Sequence, residues 1–318
     1  MSYFSTGKMP IETTPCKFCG SEAGTVVHAE ERMYGLGGDF IYQECQKCGS
    51  LQLLTIPKEL GPYYPADYYS FVPLQRSDAR TKFLKKLRMK VFLASGISSI
   101  APMYGYWLRK VHSGFSGRIA DVGCGNGQLL YELHCAGYRD LHGFDPYMDQ
   151  SIQLEKGLTL WKKRLEDSEL TFDLIMMHHS FEHMEDPNEI LKASFTKLNP
   201  GGVLLVRCPV TDAEVWKQSR SKWVQLDAPR HLIIPSVCGL NQLAEERGFE
   251  IQEVEFDSSE FQFWGTALYE KGLSLRSAKI FEHFSPEQLA SWKEKALRYN
   301  QEGKGDQACF YFWKPIKS

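Results

Sequence analysis

A glycine-rich turn at residues 121–127, with the sequence DVGCGNG, constrains the fold more than any other feature of this chain. It follows a short apolar strand predicted at 118–122 and opens a helix that ends at Gly137. The alternation continues with strands and helices predicted at 140–145, 172–177, 189–197, 202–208, 237–247, 249–256, 286–300 and 308–313. This pattern predicts a doubly wound, Rossmann-like α/β fold, with a mostly parallel sheet and helices on both faces.

The residues around the turn indicate what it binds. Glycines let the backbone pass close to a ligand without a side-chain clash. The spacing is G-x-G-x-G, and Asp121 precedes the first glycine. That carboxylate would repel a pyrophosphate and attract the ammonium group of methionine. Asp145 ends the next predicted strand, at roughly the 20-residue separation expected of an acid that binds a ribose diol.

Five segments together resemble the class I S-adenosylmethionine-dependent methyltransferase family: DVGCGNG, GFDP, FDLI, FEHMEDP and LNPGG. The resemblance implies that Asp121 and the glycines bind the methionine end of the donor, that Asp145 binds the ribose, and that residues 165–166 flank the adenine. The predicted donor-binding residues are Asp121, Gly123, Cys124, Gly125, Asn126, Asp145, Pro146, Leu165, Glu166 and His178.

The segment after the fourth strand lies where donor and acceptor would meet, because ligands bind beyond the carboxyl ends of parallel strands. It contains His179, Glu182 and His183. Histidine is the usual base near neutral pH, so we predict catalytic roles for these residues and for His231. The alternative is that they only orient the loop. A second metal ion, bound by the segment H-x-x-E-H at 179–183 together with His231, also stays open. Against a magnesium ion, that segment begins with a histidine, whereas magnesium prefers oxygen ligands.

Two C-x-x-C turns, each followed by glycine, predict a zinc ribbon at the N-terminus. The turns contain Cys16 with Cys19, and Cys45 with Cys48. Four thiolates complete a tetrahedral shell and leave no open position, so this ion is predicted to be structural.

The chain divides into three predicted parts: the zinc ribbon at 1–57, a helical linker or cap at 58–115, and the methyltransferase domain at 116–318. The linker contains a basic helix whose apolar stripe (Phe83, Leu87 and Val91) is predicted to pack on the methyltransferase domain, and a peripheral membrane contact stays open. Nine cysteines without an export signal favour reduced thiols, and hence a cytoplasmic protein.

The loop at 209–235 is predicted to form the acceptor pocket, because it carries Trp216, Trp223, Arg230 and His231 at the edge of the sheet. The alternative is that the tryptophans only pack the loop against the domain. Tyrosines within 63–69 are predicted to close the same cleft. Paired C-x-x-C turns before such a domain resemble bacterial sugar and surface-polysaccharide methyltransferases. That resemblance implies a small sugar-containing acceptor, nucleotide- or lipid-linked. The C-methylation of the antibiotic-sugar enzymes is not carried over, and we expect O-methylation of a hydroxyl group of the sugar.

Two other interpretations stay open. One is an RNA methyltransferase whose ribbon binds the nucleic acid. Two observations argue against a nucleic-acid partner: the ribbon has more acidic than basic residues, and the formal net charge of the chain is -2. The other is a non-catalytic protein that keeps the fold, which the intact Asp121, glycines and Asp145 disfavour. The oligomeric state is not determined by the sequence.

Overall fold

Two β-sheets organise the chain. The computed structural model describes residues 13–65, 72–102 and 104–316. The strands are β1 (Gly24–Glu31), β2 (Gly37–Cys45), β3 (Leu51–Leu53), β4 (Ile119–Val122), β5 (Leu141–Phe144), β6 (Ile152–Glu155), β7 (Leu158–Trp161), β8 (Phe172–His178), β9 (Leu198–Pro209), β10 (Ile233–Ile234), β11 (Glu250–Phe256) and β12 (Gln307–Trp313). The helices are α1 (Ala79–Ser95), α2 (Gly105–Lys110), α3 (Gln128–Ala136), α4 (Pro187–Lys197), α5 (Glu214–Ser219), α6 (Val237–Glu246), α7 (Phe261–Glu270), α8 (Ile280–His283) and α9 (Pro286–Gln301).

The larger sheet has eight strands in the order β11-β12-β9-β8-β4-β5-β7-β6. Its five central strands, β9 to β7, are parallel, and β12, β11 and β6 pair antiparallel at the edges. All four residues of β4 are buried, as expected of a strand covered by helices on both faces. The predicted fold class is confirmed. No strand was predicted at 152–161, where β6 and β7 form a short hairpin.

The chain reverses its direction of growth at β4, which pairs with β5 on one side and β8 on the other. Ligands of open parallel sheets bind in the crevice at such a reversal, outside the carboxyl ends of the strands. The turn after β4, Asp145 after β5 and the histidines at the end of β8 all lie at this edge. The topology therefore places the predicted donor and acceptor residues side by side.

The N-terminal ribbon shares a sheet with the methyltransferase region. Its four antiparallel strands run in the order β1-β2-β3-β10, and Ile233 and Ile234 of β10 pair with Gln52 and Leu51. Cys16, Cys45 and Cys48 are buried in one apolar cluster with residues of the large sheet. The ribbon is thus built into the larger unit through strand pairing and a common core.

Helix α1 packs on α3, but not through the predicted stripe. Met89 and Phe92 are buried against the methyltransferase region, whereas Phe83, Leu87 and Val91 are exposed. The predicted orientation of the stripe is wrong, because the periodicity of a helix defines faces without saying which one meets the core. Among the residues that the structure describes, no helix is both long and apolar enough to cross a membrane.

Candidate functional site

The four ribbon cysteines form one cluster whose sulfur atoms lie within 4.8 Å of one another. The Cys16 and Cys48 sulfurs are 3.6 Å apart, and those of Cys19 and Cys45 are 3.5 Å apart. Tetrahedral zinc with Zn–S bonds of ~2.3 Å needs sulfur separations of ~3.8 Å. The cluster therefore fits a structural zinc ion, as predicted.

The glycine-rich loop at 121–127 packs closely against the residues that follow β8. Gly123 has a φ of 73°, and a Cβ there would lie 2.5 Å from the Cβ of Ser180. Any other residue at 123 would both strain the backbone and collide with Ser180, whose hydroxyl donates to the carbonyl of Val122 at 2.6 Å. Glycine here thus lets the loop at 121–127, called the donor loop below, and the end of β8 approach each other closely.

Asp145 shapes the same loop from the end of β5. Its Oδ2 accepts the backbone N–H of Gly125 at 3.1 Å, and its Oδ1 accepts that of Tyr147 at 2.9 Å. Each carboxylate oxygen retains a further lone pair for a ligand hydroxyl. The position and the remaining acceptor capacity fit the ribose-binding role that the resemblance implies.

Asp121 is buried, at 4% exposed, beneath the loop. Burial, together with the nearby carboxylate of Asp145, raises the pKa of Asp121 to about 8. A ligand ammonium beside this carboxyl would favour its charged form. The residue therefore fits the methionine end of the donor, with a proton to release when the donor arrives.

The other predicted donor residues divide by exposure. Pro146 and Glu166 are exposed, whereas the side chains of Cys124 and Leu165 are buried in the core. Burial raises the pKa of the Cys124 thiol well above its ordinary value. The Asn126 amide donates to the carbonyl of Val72. Leu165 can thus offer only its backbone to an adenine, and the roles of this group stay predictions.

The four predicted catalytic residues converge. Glu182 is buried at 1% exposed, and its Oε1 lies 3.3 Å from Nδ1 of His179 and 3.9 Å from Nε2 of His231. Burial would raise the pKa of Glu182, but the hydrogen bond from His179 and the surrounding imidazoles lower it to about 2. Burial, with His183 nearby, lowers the pKa of His231 to about 4. The cluster is thus one buried carboxylate surrounded by imidazole rings.

The loop at 209–235 does not offer its tryptophans or its arginine to a ligand. Trp216 and Trp223 are each 1% exposed and pack into the ribbon core. Arg230 is fully buried and pairs with Glu31 of β1 and with Asp227 at 2.6 Å each. The indole N–H of Trp216 donates to Glu44 of the ribbon, and that of Trp223 donates to Asp306. The prediction of an acceptor pocket built from these three side chains is wrong, because all three are buried and their polar atoms are paired within the protein.

The structure describes only some of the tyrosines that were predicted to close the cleft. Tyr64 lies against His183, with its hydroxyl 3.3 Å from Nδ1 and the ring centroids 6.4 Å apart. Tyr68 and Tyr69 lie outside the described residues.

Two residues near the β8 end were missed. Trp107 of α2 packs on His178 with ring centroids 4.4 Å apart, and both buried ring nitrogens of His178 have no hydrogen-bond partner within the described ranges. Arg207 donates to Nε2 of His179 at 2.7 Å and pairs with Asp257. The signal for Arg207 was present, since it is the only charged residue within the apolar run at 203–209.

The sheet order, the glycine loop and the paired acids define a class I methyltransferase. The profile of a family described as a methyltransferase domain matches residues 80–254, which are 175 of the 318 residues. The chain belongs to that family, and the loop residues fit S-adenosylmethionine as the methyl donor.

Curated relatives include the tRNA U34 carboxymethyltransferases of Sulfurovum sp. (strain NBC37-1) and Helicobacter pylori (strain Shi470). The first is 29% identical over 162 residues, covering 47% of this chain and 53% of the relative. The second is 28% identical over 149 residues, covering 43% and 57%. The chain thus spans about half the length of the curated relatives that it matches. A solved S-adenosylmethionine-dependent methyltransferase from Mesorhizobium loti superposes with a TM-score of 0.43 and 16% identity, over 66% of this chain and 97% of that chain.

These relatives correct the predicted partners. We expected a sugar-containing acceptor and no nucleic acid, whereas the relatives are named for transfer to tRNA. The assignment to polysaccharide synthesis has no support either. The net charge misled the prediction because it describes the whole surface, and a local basic stripe is enough to bind a nucleic acid.

Proposed function

We propose that the chain is an S-adenosylmethionine-dependent methyltransferase that modifies an RNA, and that helix α1 is its RNA-binding surface. The names of the curated relatives support an RNA acceptor. The observation that supports α1 as the binding surface is its pattern of exposed cations and apolar side chains beside the donor loop.

Helix α1 has cations that no acid neutralises. Arg80, Lys86 and Lys90 are exposed, and no ion pair is found for them among the described residues. Phe83 lies among them with 67% of its surface exposed. Unpaired cations bind phosphates, and an exposed aromatic ring can stack on a base, which is how sequence-tolerant RNA surfaces work.

The surface adjoins the donor loop. The backbone N–H of Gln75, just before α1, donates to the side chain of Gln128 at 2.8 Å, and Val72 accepts from Asn126 of the loop. The ribbon is a weaker candidate, because Lys17 donates to the carbonyl of Glu185 and Arg32 pairs with Glu30. RNA bound along α1 would therefore reach the loop without help from the ribbon.

The test measures methyl transfer and binding with bacterial total tRNA. We expect radiolabelled methyl groups from S-adenosylmethionine to enter the tRNA, and mass spectrometry of the nucleosides to show the gain of one methyl group. Neutralising Arg80, Lys86 and Lys90 together with glutamine should weaken tRNA binding at least tenfold. It should also lower the slope of log affinity against log salt by ~2–3, since each lost phosphate contact contributes ~0.9.

The matched control neutralises three exposed lysines of other helices, Lys192, Lys217 and Lys293, and should keep the affinity of the unmodified protein. Equal weakening by both triple variants would reject α1 as the surface. No incorporation into any RNA, by protein that still binds the donor, would reject the RNA acceptor.

A further inference from the structure

Three side chains with metal-binding atoms meet at the carboxyl edge of the large sheet, away from the ribbon cysteines. They are Glu182 and His183, just after β8, and His231, just before β10. One ligand atom from each lies within 4.8 Å of the other two. The position adjoins the donor loop, because Ser180 in the same turn contacts Gly123.

Hydrogen bonds select the tautomers of both histidines. Nδ1 of His183 lies 2.9 Å from the carbonyl oxygen of Arg230, and Nδ1 of His231 lies 2.7 Å from that of Gln225. A carbonyl oxygen only accepts, so both Nδ1 atoms carry the proton and both Nε2 atoms keep a lone pair. Nδ1–H bonded to a backbone carbonyl is the usual arrangement of a metal-binding histidine.

Glu182 supplies the acidic partner. Arg207 can only donate to Nε2 of His179, so the proton of that ring is on Nδ1 and points to Oε1 of Glu182. The other oxygen, Oε2, is buried and has no hydrogen-bond partner in the part of the chain that the structure describes. A buried carboxylate oxygen without a partner is costly, and a cation beside it removes that cost.

We propose that Glu182, His183 and His231 bind a divalent transition-metal ion of the zinc or cobalt type. N and O ligands at ~2.1 Å from such an ion are ~3–3.5 Å apart. Nε2 of His231 and Oε1 of Glu182 are 3.9 Å apart, so the two side chains need to move only slightly towards each other. Two imidazoles favour zinc or cobalt over magnesium, which prefers oxygen. Three protein ligands leave a coordination position open to an acceptor atom, whatever the acceptor is.

The test adds Co²⁺ to purified protein whose ribbon already holds zinc. We expect one zinc and one cobalt ion per chain by elemental analysis after gel filtration. The visible spectrum should show cobalt bands of nitrogen and oxygen ligands, without the sulfur charge-transfer bands of a Co²⁺-substituted cysteine site. His183→Gln and His231→Gln should each keep the zinc and weaken cobalt binding by ~100-fold or more, since loss even of an outer partner costs ~10–100-fold.

The matched control is His28→Gln, which changes a half-exposed histidine of the ribbon sheet and should bind both ions. If one of the two ligand variants loses its fold by circular dichroism, the other decides. Folded wild-type protein that holds one zinc ion per chain and binds no cobalt would overturn the proposal. Cobalt binding by both folded ligand variants with wild-type affinity would overturn it as well.

Discussion

The cysteine cluster and the histidine–glutamate cluster are both compact groups of metal-binding side chains, but they are assembled in different ways. Each C-x-x-C turn supplies two ligands that are three residues apart, so the spacing alone indicates the site. The second cluster joins Glu182 and His183 to His231, which lies nearly fifty residues further along the chain, just before β10 of the ribbon sheet. The comparison teaches that local spacing can be read from a sequence, whereas convergence of distant segments needs the fold.

The largest effect is expected at the cysteine cluster. Cys45→Ser should abolish stoichiometric zinc and unfold the ribbon, because structural zinc contributes on the order of 10 kcal/mol to small metal modules. Elemental analysis and limited proteolysis measure both changes. Cys238→Ser, at an exposed cysteine, is the control and should keep zinc and protease resistance. A folded, zinc-free Cys45→Ser protein would show that the shared core holds the ribbon without metal.

The next effect concerns Arg230, which joins the ribbon sheet to the histidine–glutamate cluster. Its guanidinium pairs with Glu31 of the ribbon, and its carbonyl accepts from His183. Arg230→Met should lower the free energy of unfolding by ~3–5 kcal/mol, because it leaves buried carboxylates unpaired. Arg220→Met, at a partly exposed ion pair with Glu44, should cost at most ~1 kcal/mol. Urea denaturation compares them, and equal losses would contradict the role given to burial.

A third prediction separates the histidine cluster from the donor loop. His183→Ala should lower the rate of methyl transfer by ~10²–10⁴-fold, because its imidazole lies just after the end of β8, where a proton acceptor or ligand is needed. Donor affinity should not change, since His183 is not part of the loop. A transfer assay and calorimetry with S-adenosylhomocysteine give the two values. Transfer at the wild-type rate would exclude His183 from the reaction.

At the donor loop a smaller effect is expected. Asp145→Ala should weaken S-adenosylhomocysteine binding by ~1–3 kcal/mol, because ribose hydroxyls and the N–H of Gly125 lose their acceptor. Calorimetry measures the loss. Asp149→Ala, at an exposed acid in the same turn, should bind normally. Unchanged affinity in the Asp145 variant would place the ribose elsewhere.

The smallest expected effect is the release of a proton from Asp121 when the donor binds. At pH 6.5 the Asp121 carboxyl, with a pKa of about 8, is protonated in the free protein and becomes charged beside the donor ammonium. Donor binding should therefore release close to one proton, measured by calorimetry in buffers of different ionisation enthalpy. Because the unfolded pKa is ~3.9, the same group makes the free protein less stable as pH rises from ~4 to 8. Asp121→Asn should remove both the release and that slope, and a release that persists would exclude Asp121.

Particular elements show how far the sequence could be read. The glycine-rich turn at 121–127 and the C-x-x-C turns depend on neighbouring residues, so their positions were predicted. The exposure of Phe83 and the burial of Arg230 depend on which surface each segment meets, so both were predicted wrongly. The β6–β7 hairpin was missed, although apolar and polar residues alternate at 152–155 and 158–160 on either side of Gly157.

By itself, the sequence determined the class of fold, the donor loop and the cysteine cluster, because each follows from short-range spacing and from glycine's conformational freedom. Only the tertiary structure decided that β10 completes the ribbon sheet, that Arg207 orients His179, and that His231 reaches Glu182. The physical reason is that these contacts join segments far apart in the chain. Their proximity depends on strand order and on the packing of one large core.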